Sequence, residues 1–352
     1  MVLLFLGYIF IAMRNRKVFV AMSGGVDSSV AALLLKEKGC EVTGCHLTCW
    51  EGCDSKEDRR DALRVAAKLG IPFLTFDFRK EYRERVYNYL VREYAAGRTP
   101  NPDVKCNQYI KFGIFLEEAL ALGADYIATG HYIRKEGEKI YEARDKNKDQ
   151  SYFLWALTPE KLRRCLFPIG DYLKSEVREV ARKAGLPTAE KKDSQGLCFV
   201  GKIDFSDFIR EALPRKPGII SDLRGRTLGE HDGAHFYTVG QRHGLNLGGL
   251  SEPVYVAERD LATNTLIVVP KSDSALYREE ILVGGLNLLS ELPPEIEVRI
   301  RYRQPKQKAR IMNHESGIMR IKFETPQRGV ASGQSAVFYQ DEELLGGGVI
   351  ED

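Results

Sequence analysis

No apolar run in this 352-residue chain reaches the ~18 residues that a membrane-crossing helix needs, so no stable membrane association is expected. Charge of either sign is hardly in excess. The 52 Lys and Arg against 49 Asp and Glu leave +3, too little to announce a nucleic-acid partner, so any such claim rests on local clusters. Cysteine is sparse and odd in number, seven, with no convincing secretory leader. That excludes a disulfide-built secreted scaffold and favours a reducing cytoplasm. Neither a Walker loop with its Lys-Ser/Thr nor a Gly-x-Gly-x-x-Gly fingerprint occurs, and no internal repeat or low-complexity tract is visible. What remains, 43% hydrophobic and 29% charged, is the composition of a globular protein long enough for two or three domains.

What is present is organised around Ser23-Gly24-Gly25-Val26-Asp27-Ser28-Ser29. A strand-like run, 18–22, enters it, and a helix-like run, 30–38, leaves it and stops at Gly39. Strand, glycine turn and helix in that order form an anion cradle. The glycines let the backbone come close to an anion, and the first helical N–H groups have no internal partner. Two serine hydroxyls add donors; the plain alternative is a strand-to-helix turn with a serine cap. The string resembles the SGGxDS loop of the ATP pyrophosphatase (PP-loop) superfamily, which implies cleavage of ATP between its α- and β-phosphates.

Along the chain, residues 41–47, 73–76 and 126–129 have strand character. Helical patterns fill the intervals, one opening on Ser55-Lys56-Glu57-Asp58, which resembles a capping box, and one carrying Tyr82, Val86, Leu90 and Tyr94 on a single face. Alternating strands and helices predict a parallel sheet with ligands at the carboxyl ends of its strands. Between Gly97 and Phe112, Pro100 and Pro102 predict a stiff loop that presents Asp103, Lys105 and Cys106. A cysteine beside a lysine and a helix start favours a lowered pKa, whereas a lone cysteine is ordinarily core filler. Helical patterns are expected again over 150–157 and 175–184. Beyond about Phe208, short β runs at 236–239, 254–257, 265–269 and 281–283 are separated by glycine turns, and longer alternating runs follow from Glu297. Arg299, Arg301, Arg303, Lys306, Lys308 and Arg310 form a basic run with no acid among them, and the first three alternate, so a single strand presents those three on one face as a phosphate-facing or simply solvated stripe.

Two features are read separately. Residues 1–13 are apolar, with Arg14, Arg16 and Lys17 following rather than preceding them; the expectation is a start of translation at Met13, with a short amphiphilic anchor as the alternative. Cys45, Cys49 and Cys53 occur at four-residue spacing beside His46, but the distant second pair of a zinc site is missing, so no metal site is expected.

The strings AMSGGVDSS at Ala21, GRTPNPDVKCN at Gly97, ATGHY at Ala128, KDQSYFL at Lys148, DSQGLCFVG at Asp193, FYTVGQRHGL at Phe236, RIRYRQ at Arg299 and ASGQSAVFY at Ala331, in this order, resemble one family: the bacterial and organellar tRNA-specific 2-thiouridylases. The resemblance runs from Lys17 to the C-terminus. It implies an α/β fold: an N-terminal parallel-sheet PP-loop (adenine nucleotide α-hydrolase-like) domain over 17–207 after an apolar extension at 1–16. Two small mostly-β domains follow at 208–278 and 279–352, the last a β-barrel.

The implied reaction is ATP-dependent adenylation of the C2 oxygen of the wobble uridine in tRNA, then sulfur transfer from a cysteine persulfide to give 2-thiouridine, AMP and pyrophosphate. By the same resemblance Ala21, Met22, Ser23, Gly24, Gly25, Val26, Asp27, Ser28, Leu47 and Gly130 contact ATP, with Mg²⁺. Cys198 carries the persulfide, Cys106 attacks it through a transient disulfide, and Asp103 handles protons. Asn101, Pro102 and Asp103 meet the target base, while His131, Lys148, Asp149, Gln150, Arg301, Tyr302 and Gln334 touch tRNA. The implied partners are the anticodon stem-loop of the substrate tRNAs and a cysteine desulfurase or sulfur-relay protein. A PP-loop ligase for a small molecule would share the loop but need neither Cys106 nor Cys198. A tRNA-binding sulfur carrier would not need the intact loop.

Overall fold

The computed structural model of the chain describes residues 13–50, 53–192, 209–210 and 212–351. Cys198 and most of the apolar extension lie outside them. Two compact units are present: one takes in 13–86, 103–192 and 342–344, the other 87–102, 209–341 and 345–351.

The first unit is built on a five-stranded parallel sheet. Its strands are β1 (Lys17–Ala21), β2 (Glu41–Thr48), β3 (Phe73–Asp77), β4 (Tyr126–Ala128) and β7 (Cys165–Leu166), in the order β3-β2-β1-β4-β7. Val18 pairs with Val42 on one side and Tyr126 on the other. The chain steps outward from β1 to β3 and then returns to the opposite side of β1. A crevice therefore opens at the carboxyl ends of β1 and β4, the switch point where ligands bind in open α/β sheets. Helix α1 (Val26–Glu37) buries nine of its first ten positions, all but Asp27, including Val30, Ala31 and Ala32 at zero exposure. Its small and branched residues pack with Val18 and Val20 in the central core, where each fully buried Val or Leu contributes about 1.5–3 kcal/mol.

Helix α2 (Cys53–Leu69) starts two residues before the expected cap, so Ser55 stands within its first turn. A helical run over 79–95, α3, carries the expected face: Tyr82, Val86, Leu90 and Tyr94 are all buried. The loop expected over 98–107 is shorter than its prolines suggest. Pro102 begins α4 (Pro102–Cys106), a position where proline's missing N–H costs nothing. A π-helical stretch, Asn107–Ile114, continues it into α5 (Phe115–Ala121), with Gly113 at non-helical φ −110°, ψ −106°. A hairpin that the sequence pattern did not reveal, β5 (Ile133–Glu136) with β6 (Lys139–Glu142), also takes Glu343 and Leu344 as pairing partners for Tyr141 and Ile140. The helix expected over 150–157 is only a 3₁₀ turn, Ser151–Phe153, because the Asp149 carboxylate captures the Ser151 N–H and hydroxyl. Helix α6 (Lys174–Lys183) completes the unit.

The second unit holds two β assemblies. Strands β8 (Gly218–Ser221), β9 (Thr227–His231), β10 (Val254–Asp260) and β11 (Thr265–Pro270) form a sheet in the order β10-β11-β8-β9 over Ile220, Val256, Leu266 and Val268. The strand expected at 236–239 is absent. The Gln241 side chain accepts the Thr238 N–H at 2.9 Å, diverting the backbone from a ladder. Strands β12 (Tyr277–Leu288), β13 (Glu295–Arg299), β14 (Gln307–Glu315), β15 (Ile318–Arg328), β16 (Ser335–Gln340) and β17 (Glu343–Ile350) form a closed antiparallel barrel in the order β12-β15-β14-β13-β16-β17, shut by β12 pairing with β17. Among the described residues no helix is long and apolar enough to cross a membrane.

Candidate active site

Between β1 and α1 the chain turns on Gly24, whose φ of +75° suits glycine alone and whose added Cβ would lie 2.3 Å from the Asp58 carbonyl oxygen. Gly25 is the N-cap of α1 and supplies no side-chain cap, so the helix's first N–H groups face the crevice with the positive end of its dipole. The serines mostly hold the loop's shape. Ser28 Oγ accepts from the Ser23 N–H at 3.2 Å and donates to the Gly25 carbonyl at 3.3 Å. Ser29, fully buried, donates to the same carbonyl at 2.7 Å and accepts from Thr188 Oγ1 at 3.0 Å. Ser23 is exposed. Ala21 and Met22 lead in, and the Met22 N–H donates to the Cys45 carbonyl at 2.7 Å, laying the end of β2 and buried Leu47 alongside.

Gly130 follows β4 and lies against the cradle itself. A Cβ there would sit 2.6 Å from the Ser28 amide nitrogen, so β4 and the loop close on one another only through glycine. Gly24 and Gly130 thus let neighbouring backbone segments meet at the start of α1 with no side chain between them.

Asp27, the second residue of α1, is the hub of a polar chain. Lys174 Nζ lies 2.7 and 2.8 Å from its two carboxylate oxygens, and the Tyr132 hydroxyl donates to Oδ1 at 2.7 Å. Tyr132 is fixed in turn by Gln150, whose Oε1 accepts the Tyr132 N–H at 3.0 Å and whose N–H donates to the Tyr132 carbonyl at 3.0 Å. Lys174 and Tyr132 escaped the sequence reading. Tyr132 stood within the ATGHY string, but only the fold brings Lys174 across 147 positions to Asp27.

The other expected residues divide. Asp103 and Cys106 stand on α4, and Cys106 is fully buried. Lys105 directs Nζ to Gln108 Oε1 at 3.2 Å and over the Tyr109 ring, which accounts for part of the charge that its sequence position offers the thiol. His131 is buried between Phe112 and Phe167, with Nδ1 2.7 Å from Thr129 Oγ1. Burial, and next the Lys111 charge, push its imidazole well below the ordinary value near 6.5, so the ring is neutral. Asp149 is 4% exposed and accepts the Ala143 N–H at 3.0 Å, which makes it a turn-holder beside half-buried Lys148.

In the second unit, Asn101 and Pro102 follow Thr99, whose carbonyl accepts from Gln334 Nε2 at 3.0 Å. The stripe of arginines is not one strand face. β13 ends at Arg299, and Arg301, Tyr302 and Arg303 form a turn with Arg303 at φ +63°. Arg301 donates to the Gly329 carbonyl, and Arg303 stacks 5.1 Å over Tyr302. Lys306 pairs with Glu297 and Arg310 with Glu295. Strand-end geometry and these pairings replace the uniform stripe.

Cys45 and Cys49 are buried, and burial raises the Cys45 thiol far above its ordinary range. Among the described residues no group of three His, Cys, Asp or Glu is arranged to hold a metal ion.

Comparison with known proteins adds three family models: a tRNA methyl transferase HUP domain over residues 16–202, a tRNA methyl transferase PRC-barrel domain over 206–270 and an aminomethyltransferase beta-barrel domain over 275–350. The chain is 45% identical to the tRNA-specific 2-thiouridylase MnmA 2 of Geobacillus kaustophilus, covering 97% of this chain and 96% of that one. It is 48% identical to the tRNA-specific 2-thiouridylase MnmA of Akkermansia muciniphila, covering 95% and 98%. Among solved structures, the U34-tRNA thiolase NcsA of Methanococcus maripaludis is 20% identical over 56% of this chain and 64% of that chain, with a TM-score of 0.38. The full-length relatives are named for thiolation, whereas two of the domain models carry a methyl-transferase label.

Proposed function

The chain belongs to the family of tRNA-specific 2-thiouridylases, and on that premise we propose how its residues divide the work. It is an enzyme of tRNA modification that uses ATP to put sulfur into uridine. The observation that carries the division is the uncapped start of α1, set between Gly24 and Gly130 at the switch point of the sheet. Backbone donors at a helix start bind phosphate, and the two glycines keep side chains away from those donors.

The uridine C2 carbonyl is a poor electrophile until its oxygen becomes a leaving group. That oxygen attacks the α-phosphorus of ATP, the α–β bridge breaks, and pyrophosphate departs into the loop of residues 21–28, with Leu47 and Gly130 beside the nucleoside. The loop N–H groups offset the charge that develops on the departing phosphates. Asp27 would hold Mg²⁺, which would supply further neutralisation of the phosphate charge. Asn101, Pro102 and Asp103 face the base, and Asp103 takes up or returns protons. His131, Lys148, Asp149, Gln150, Arg301, Tyr302 and Gln334 are assigned to the tRNA surface: Lys148 and Tyr302 by contact, Asp149 and Gln150 by shaping the turn that presents Lys148, buried His131 from behind that surface, and Arg301 and Gln334 by holding its loops.

For sulfur delivery, the Cys106 sulfur bonds to Cys198 Sγ, the persulfide S–S bond breaks, and hydrosulfide leaves. Hydrosulfide adds to C2, and AMP departs with the former carbonyl oxygen. The Cys106–Cys198 disulfide takes two electrons from an external dithiol before the next cycle. A cysteine desulfurase or relay protein reloads Cys198. Buried thiols and a dithiol-dependent cycle suit the cytoplasm. We divide the chain into a catalytic domain at 17–207, a central β domain at 208–278 and a barrel at 279–352.

The test is thiolation of tRNA with ATP, Mg²⁺ and a persulfide donor, read by nucleoside mass spectrometry. Cys106→Ala and Cys198→Ala each abolish 2-thiouridine while tRNA binding persists; full thiolation by either variant refutes the two-cysteine scheme.

A further inference from the structure

Lys174 stands one hydrogen bond from the acidic residue of the phosphate cradle. Its side chain is 13% exposed and that of Asp27 31%, so the pair lies at the rim rather than in the core. The Tyr132 hydroxyl shares the same carboxylate, and the Tyr132 ring lies 5.8 Å from Nζ. The Lys174 backbone N–H donates to Asp145 Oδ2 at 2.9 Å, which anchors the start of α6 while leaving the side chain to reach Asp27.

Two charge arguments bear on this pair. A carboxylate at the second position of a phosphate-binding helix repels the ligand that the helix attracts, unless a cation accompanies it. The glycine loop also lacks the lysine that a Walker loop places after its last glycine to reach the terminal phosphates. Lys174 brings an ammonium to Asp27 in the cradle through the fold instead of through the sequence. Its four-carbon stem and rotatable donors allow it to exchange one anionic partner for another without moving backbone.

We propose that Lys174 is the polyphosphate-binding cation of this site: it pairs with Asp27, passes Nζ to the β-phosphate when nucleotide enters, and retains the pyrophosphate as it separates from AMP. The proposal rests on the loop being the phosphate site of ATP.

Calorimetric titration of the full-length chain with inorganic pyrophosphate and, separately, with AMP tests it, both without divalent metal. Lys174→Met weakens pyrophosphate binding about tenfold or more, the loss of one charge-assisted contact, and leaves AMP binding unchanged. Lys174→Arg keeps the charge and recovers most of the pyrophosphate affinity. Asp27→Asn binds pyrophosphate at least as tightly as the native chain, because it removes a repelling charge and releases Nζ. If Lys174 served only to hold Asp27 in place, Asp27→Asn and Lys174→Met would weaken pyrophosphate alike, and that result overturns the proposal. Loss of AMP binding in Lys174→Met, with Lys174→Arg no better, assigns a structural role and also overturns it. A native chain that binds neither pyrophosphate nor ATP sinks the loop assignment along with this one. Native binding with Lys174→Met undiminished sinks this one alone.

Discussion

The two units use the same residue types for opposite ends. In the first, glycine, lysine and aspartate converge on one crevice: Gly24 and Gly130 let backbone close on the start of α1 without side chains, and Lys174 and Tyr132 meet at Asp27. In the second, comparable residues are taken up by the fold. Arg301 is wedged between two turns, with added Cβ atoms at Gly240 and Gly329 falling 2.8 and 2.5 Å from its Nη2. Arg98 is bound by Glu93 and Glu351, and Arg310 by Glu295. At the crevice of the first unit Lys174 and Tyr132 share one carboxylate at the start of a helix; the arginines named in the second unit each end on a carbonyl or a carboxylate away from any helix start.

The sharpest way to break that contrast is at glycine. Gly24→Ala sets a methyl 2.3 Å from the Asp58 carbonyl oxygen at a backbone φ of +75°, so the loop must open. We expect ATP binding to vanish in calorimetry and stability to fall by about 1–3 kcal/mol in urea unfolding. Gly248→Ala in the second unit, with nothing within 4 Å of the added carbon and no positive φ, leaves both measurements unchanged. Equal effects at the two sites would erase the distinction between a glycine kept for a ligand and one kept for a turn.

Arg301→Ala probes the second unit's side of the contrast. Removing a guanidinium that donates to the Gly329 and Val239 carbonyls strips two turns of their shared donor, at a cost of about 1.5–3 kcal/mol. Urea unfolding should shift accordingly, and tRNA affinity should fall mainly as stability does. A large loss of tRNA affinity with unaltered unfolding would return Arg301 to the phosphate-facing role that its sequence position suggested.

The same contrast explains what could be read without the fold. Ser23 to Ser29 was legible because anion binding there is backbone chemistry, encoded by neighbours along the chain. Residues Arg299 to Arg303 misled because period-two reasoning holds only while a strand continues, and β13 stops at Arg299. The 150–157 stretch misled for a related reason: Asp149 outcompetes the helix for the Ser151 N–H. Lys174 left no local signal, since its significance arises from a contact across 147 residues. Prolines at 100 and 102 were read as loop on both sides, whereas Pro102 is the first residue of α4 and carries Asp103 and Cys106 into a helical turn.

Protonation separates the units more gently. His131 in the first unit is buried and neutral, its pKa well below 6.5, whereas an unfolded histidine takes a proton near 6.5. The unfolded chain therefore binds more protons below that pH, and stability declines as pH falls from 6.5. The decline is about 1.4 kcal/mol for each pH unit over which the folded ring stays neutral. Burial lowers His231 and His235 in the second unit in the same direction, and less strongly. Urea unfolding at pH 7.5 and 5.5 should show the decline, and His131→Gln should remove more of it than His235→Gln. A slope untouched by His131→Gln would place the proton-linked cost elsewhere.

The smallest effect belongs to Arg310. Its guanidinium meets Glu295 at 2.6 Å across the β13–β14 pair, but the two side chains are 70% and 69% exposed. Water and salt screen such a pair, and holding two long side chains in one geometry costs entropy, so Arg310→Ala should move urea unfolding by no more than about 0.5 kcal/mol. Its effect on tRNA affinity then tests whether any part of the basic run remains available to phosphate. Because the Glu295 contact is weak, a phosphate can displace it, and the salt dependence of tRNA binding should flatten by nearly one counterion if Arg310 makes that exchange. An unchanged slope would mean that even the exposed arginines of this unit serve the barrel, and that the grip on RNA lies with the loops that Arg301 and Gln334 hold in place.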